Sequence, residues 1–114
     1  MRGFGYRAET LACIYLFFHG YRIVRRNYHS RFGEIDIIAQ KKNITVFVEV
    51  KARSGKMLAS PAHAVDTYKQ QKLIKTAYGY MSCCDSDDFR FDVIEVTKQK
   101  FRISVNHIKD AFQI

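Results

Sequence analysis

GEIDIIAQKKNITVFVEVKAR, residues 33 to 53, sets two short runs rich in β-branched residues around a polar break. Period-two alternation puts Ile35, Ile37 and Ala39 on one face of the first strand and Glu34, Asp36 and Ile38 on the other. In the second strand Val46, Val48 and Val50 share a face, with Thr45, Phe47, Glu49 and Lys51 opposite. A hairpin loop from Gln40 to Asn43 sets Ala39 against Ile44, Asp36 against Phe47 and Glu34 against Glu49. Asp36 and Glu49 are then diagonal neighbours, and Lys51 projects from the same face one step further on. Any even loop length keeps this grouping, whereas an odd loop or a bulge sends Asp36 to the far side.

Two carboxylates drawn together in a partly desolvated cleft repel, and each tends to hold its proton unless a cation is present. Mg²⁺ accepts one or two carboxylates and leaves its other positions to water and phosphate oxygens. A lysine beside such an ion orients or deprotonates an attacking water, or neutralises charge building on a phosphorane. Glu49-Val50-Lys51 is weak by itself, because an acidic-x-Lys triplet arises by chance roughly once per 140 residues. A cross-strand Glu and Lys on a solvated face is the plainer account of the triplet. Asp36 on the partner strand, the apolar alternate positions and the basic chain around them favour a site.

The length predicts one domain over residues 1–114, with room for a core and none for a second. A hydrophobic content of 47% argues for a folded globule, and the net charge of +8 points to a polyanionic partner, nucleic acid or an acidic membrane surface. Three cysteines, Cys13, Cys83 and Cys84, suit no disulfide framework and predict a reducing cytoplasm. The histidines His19, His29, His63 and His107 lie too far apart for a zinc spacing. No signal peptide is expected at the N-terminus, and no apolar run approaches a membrane-spanning length.

Residues 5–19 read as a helix stopped by Gly20, with Ala8, Leu11, Ala12, Tyr15 and Leu16 recurring at helical steps. Glu9 lies beside that stripe, either as a favourable charge near the helix start or as an outer metal ligand facing the acidic hairpin. Residues 21–28 look like a strand whose alternation breaks at Ile23 and Val24, and His29 to Phe32 like a polar link. Arg25, Arg26 and Arg31 are candidates for phosphate contact, or simply solvated.

After Lys51, ARSGKMLASP carries Arg53 and Lys56 and has the composition of a mobile flap over a substrate backbone. Ser60-Pro61 suits the start of a helix running to about Met81, with Val65, Tyr68, Leu73, Ala77 and Tyr80 on its apolar face. Lys69, Lys72 and Lys75 recur on it at three-residue steps, as phosphate contacts or as a solvated flank. FRFDVIEV, residues 89–96, reads as a strand returning beside the earlier one through the helical crossover, with Asp92 suited to pairing with a basic group. Residues 101–105 read as a last strand and 108–112 as a short closing helix. The expected fold is α/β: a mixed sheet with helices on its faces, in the order helix, three strands, helix, two strands, short helix. The acidic hairpin is expected to border a cleft between the first helix and the sheet.

GEIDIIA, VFVEVKAR, a Val-x-x-x-Lys helix at Val65 and Lys69, RFDVIEV and the closing HIKDAF resemble the YraN-like family of predicted bacterial endonucleases. That family is similar to archaeal Holliday-junction resolvases, within the restriction-endonuclease-like superfamily, and the resemblance spans nearly the whole chain. It implies a restriction-endonuclease-like fold and a Mg²⁺-dependent endonuclease acting on DNA, including branched or structured DNA, with Mn²⁺ as a substitute. Asp36 and Glu49 then correspond to metal ligands, Lys51 to the residue that activates water, and Glu9 to the first-helix glutamate that joins the site. Ile35 stands where many superfamily members have proline, a position that tolerates replacement. Lys69, Lys72, Arg53 and Arg31 are the expected nucleic-acid contacts, and a homodimer is expected by analogy with the resolvases. A non-catalytic nucleic-acid-binding module that keeps the fold is the second expectation, and a scaffold for an acidic protein the third.

Overall fold

The computed structural model describes residues 4–54, 67–84, 86 and 88–113. Its elements are α1 (Phe4–Phe18), β1 (Arg22–Ser30), β2 (Gly33–Lys41), β3 (Ile44–Ser54), α2 (Thr67–Met81), β4 (Asp88–Gln99) and β5 (Arg102–Phe112). The five strands form one sheet in chain order, antiparallel except for the parallel pair β3 and β4. Strands that run parallel need a crossover, and α2 lies in that connection.

α1 buries Ala8, Ala12 and Leu16, four residues apart, against Ile37, Ala39, Val46, Val48, Ile94 and Val96 of the sheet. It ends where the sequence predicts, by a defined geometry. Gly20 takes φ +89°, the Tyr21 N–H donates to the Leu16 carbonyl at 2.9 Å, and the Gly20 N–H donates to Phe17 at 3.2 Å. This is a Schellman cap, and Tyr21 packs with Leu16 in the same cluster. On the opposite face α2 buries Leu73 and Ala77 with Ile35, Ile38, Phe47, Phe91, Val93 and Phe112. The sheet is therefore sandwiched between the helices, as binary patterning of the strands requires.

Four expectations are corrected. Lys41 pairs with Ile44, so only Lys42 and Asn43 make the β2–β3 turn, and the register moves by two residues from the one a longer loop would give. Parity survives because both loops are even. Second, Ile35 does not share a face with Ile37 and Ala39. The β1–β2 pairing passes over Asn27 and Asp36, and Asn27 is left-handed at φ +51°. The strands twist there, so Arg26 turns toward α1 while Tyr28 packs against Tyr80 of α2, and Ile35 goes with it.

Third, residues 108–112 form no helix. β5 continues to Phe112, pairing Ile108 with Val93 and Phe112 with Phe91 across a bulge, because β4 offers a long unpaired edge. Fourth, Tyr68 is 73% exposed instead of lying on the apolar face of α2. Ile23 and Val24, which break alternation in the sequence, mark a real register shift: Ile23 packs on the α1 side and Val24 on the α2 side. Ser60, Pro61, Val65, Lys56 and most of the expected flap lie outside the described residues.

Candidate functional site

The β2–β3 ladder is described from Lys41 with Ile44 to Ile37 with Val48, and one further step in that register sets Asp36 opposite Glu49. Here Asp36 Oδ2 accepts the Val50 N–H at 2.8 Å, so the side chain takes the place of a backbone acceptor. Asp36 and Glu49 are also hydrogen-bonded to each other, and Glu49 is only 7% exposed. Burial, then the Glu49 charge, push the Asp36 carboxyl up to about 7; the Val50 N–H pulls it down, and Glu9 and the hydrogen bond to Glu49 raise it further. Asp36 therefore favours its protonated form more than an ordinary carboxyl does in the absence of a nearby cation.

Glu49 opens toward α2, not toward α1 as expected, because it follows Phe47 on the face that carries the α2 cluster. Its carboxylate forms an ion pair with Lys69 of α2. Lys51 continues the same face, half-buried, and makes no hydrogen bond or ion pair with another described residue. The parallel register places Glu95 of β4 beside Lys51, and Glu95 forms an ion pair with Arg53.

Glu9 stands apart on the α1 side. It lies 3.6 Å from the Arg26 guanidinium, and its Oε1 is buried without a hydrogen bond. Its charge is felt at Asp36, but among the described residues no group of three or more His, Cys, Asp or Glu side chains gathers closely enough to hold one ion. The structure thus brings together Asp36 and Glu49, with Lys51 beside them, and leaves Glu9 outside that pair. Two adjacent carboxylates, one accepting a backbone N–H, fit a hard divalent cation that takes its remaining ligands from water and phosphate.

Of the expected nucleic-acid contacts, Lys69 is the partner of Glu49, Arg53 is the partner of Glu95, and Lys72 lies 5.4 Å from the Tyr68 ring centroid. Arg31 is exposed at the β1–β2 turn, over the Phe32 ring. Lys69 as a partner of the acid pair escaped the sequence reading, although the Val-x-x-x-Lys spacing singled it out. Glu95 escaped altogether, since only a long-range parallel pairing sets it beside Lys51.

A second polar cluster lies under β5. Asp92, 0% exposed, accepts two hydrogen bonds from Arg90 at 2.8 Å, one from His107 Nε2 at 2.7 Å and one from the Asp110 N–H at 2.9 Å. Arg90 also reaches the Tyr21 hydroxyl at 2.8 Å. This is the basic pairing expected of Asp92, and it ties β4 and β5 to the residue that caps α1.

Fold and site together define a class: a mixed α/β domain with a hydrogen-bonded carboxyl pair and a lysine where two central strands part. The chain belongs to the Uncharacterised protein family UPF0102, whose model matches residues 8–96. This is the YraN-like family to which GEIDIIA and VFVEVKAR point. A UPF0102 protein of Clostridium botulinum strain 657 is 45% identical over 111 residues, covering 93% of this chain and 90% of the relative. One from Caldanaerobacter subterraneus is 42% identical over 109 residues, covering 91% and 89%. One from Chlorobium phaeobacteroides is 39% identical over 117 residues, covering 96% and 92%. Their names state the family and no activity.

Proposed function

We propose that this protein is a metal-dependent endonuclease of the restriction-endonuclease-like kind that hydrolyses phosphodiester bonds in DNA. The observation that carries the reading is the Asp36–Glu49 pair, with Lys51 on the same strand face as Glu49 and unpaired among the described residues. Buried like charges are kept in a fold at a stability cost, and such pairs recur where a cation or a proton is handled. The net charge of +8 and the resemblance to Holliday-junction resolvases support a nucleic-acid substrate, branched or structured DNA included.

Asp36 and Glu49 would hold Mg²⁺, or Mn²⁺ in its place, with Glu9 contributing charge from the α1 side. When bound, the ion polarises the phosphodiester and favours attack by water. Val50 holds Asp36 in place through its N–H, so the donor does not have to be ordered on binding. Lys69 balances Glu49 in the free protein and becomes available to a phosphate once a cation takes over that carboxylate. Lys51 orients the attacking water or stabilises charge on the phosphorane.

The test is Mn²⁺- and Mg²⁺-dependent cleavage of linear, single-stranded, flap and four-way-junction DNA. Asp36→Asn and Lys51→Ala are each expected to abolish cleavage while leaving fold and DNA affinity nearly intact. Variants that cut as fast as the parent refute the assignment. A parent that binds with steep salt dependence and cuts none of these substrates supports instead a non-catalytic binding module.

A further inference from the structure

Tyr68 stands on the first described turn of α2, and its ring faces solvent at 73% exposure, while Leu73 and Ala77 supply the buried contacts of that helix. It lines a groove of about 350 Å³ with Gly33, Glu34, Lys69, Lys72 and Leu73. Two features make this more than a stray aromatic. The Lys72 ammonium lies 5.4 Å from the ring centroid, and Lys69, on the same wall, is the partner of Glu49. Lys69 thus links the groove wall to the carboxylate pair.

Glu34, the acidic residue of this wall, is hydrogen-bonded to His29 Nε2 at 2.7 Å. Gly33 presents no side chain to the groove. A ring with one ammonium group beside it and a second lysine on the same groove wall matches the two chemistries of a nucleotide, a π face and a phosphate, better than it matches an apolar peptide. A base within a duplex has both faces covered by its neighbours, so only an unpaired base can reach such a ring.

We propose that Tyr68 stacks an unpaired base of the bound strand while Lys72 takes an adjoining phosphate, with Lys69 joining once a cation replaces it at Glu49, which sets the neighbouring phosphodiester toward Asp36 and Glu49. The substrate is then a strand with at least one unpaired base beside the attacked bond. This rests on the nucleic-acid part of the proposed function and does not need turnover.

The test uses the whole protein in chelator with a single-stranded oligonucleotide carrying 2-aminopurine, compared with a blunt duplex. Parent and Tyr68→Phe are expected to quench 2-aminopurine on binding. Tyr68→Ala is expected to lose the quench and bind the single strand about 5- to 100-fold more weakly, with duplex binding changed less than about two-fold. Parental affinity and quench in Tyr68→Ala overturn the proposal, and so does a parent that binds no single strand. Because divalent ions are absent, a protein that fails to cut still reports the stack. Failure of cleavage with Mn²⁺ thus removes the nuclease reading alone, and an unaffected Tyr68→Ala removes the stack alone.

Discussion

Asp36 and Asp92 are both withdrawn from water, and their neighbours treat the negative charge in opposite ways. For Asp92, burial is the largest single influence and favours the neutral acid. The hydrogen bonds from His107, Arg90 and the Asp110 N–H, with the Arg90 charge, together outweigh it and hold the carboxyl below its ordinary range. Its contribution to stability is present above the unfolded-state pKa and is lost as pH falls through the lowered folded value. Asp92→Ala leaves Arg90 without its counter-charge and His107 Nε2 without its hydrogen-bond partner, and is expected to cost about 3–5 kcal/mol, read by denaturant unfolding near neutral pH.

Asp36 has the reverse sign. Between the ordinary value of 3.8 and about 7 the folded state holds a proton that the unfolded chain has released, so stability falls as pH rises across that window. Asp36→Asn keeps an acceptor for the Val50 N–H and removes the repulsion. It is expected to stabilise the fold by on the order of 1–3 kcal/mol at about pH 8 and by little at about pH 4. Melting temperatures at the two pH values check this, and a gain independent of pH would refute it. An acid whose removal stabilises the fold is one the fold keeps for another purpose.

At the scale of elements, α2 comes close to β2 at Gly33, where a side chain would be crowded and its backbone strained. Gly33 has φ +150°, and a Cβ there would lie 3.2 Å from Thr76 Oγ1. Gly33→Ala is expected to destabilise by about 1–3 kcal/mol and to shift α2, lowering Lys69-dependent function along with the melting temperature. β5 carries the second test. The Phe112 ring stacks on Phe91 with centroids 4.9 Å apart, so Phe112→Ala is expected to cost about 3 kcal/mol and to expose the β5 amides to hydrogen exchange. Slow exchange of those amides in the variant would mean that β5 is held without its apolar end. HIKDAF shows helix-like spacing, yet the long β4 edge outcompetes a short isolated helix, which has too few turns to overcome nucleation.

On the whole molecule, the excess of lysine and arginine sets how binding responds to salt. Lys72 and Lys75 are both exposed on α2. If each neutralises one phosphate, Lys72→Ala and Lys75→Ala should each flatten the slope of log affinity against log salt by about 0.7 to 0.9, roughly independently of sequence. A slope unchanged in the double variant would place the bound strand elsewhere. Among the described residues no helix is long and apolar enough to cross a membrane.

The amino-acid sequence alone determined the helix and strand pattern through β4 among the described residues, the stop at Gly20, the parallel return of β4 and the grouping of the two acids Asp36 and Glu49 with Lys51. Each of these follows from local periodicity, capping chemistry or loop parity, which neighbouring residues carry by themselves. Only the tertiary structure decided the exact β2–β3 register, the turn of Ile35 to the α2 side, the pairing of Lys69 with Glu49, the setting of Glu95 beside Lys51 and the extension of β5. Those depend on contacts between residues far apart in the chain, where a left-handed Asn27 or an unpaired strand edge outweighs local preference.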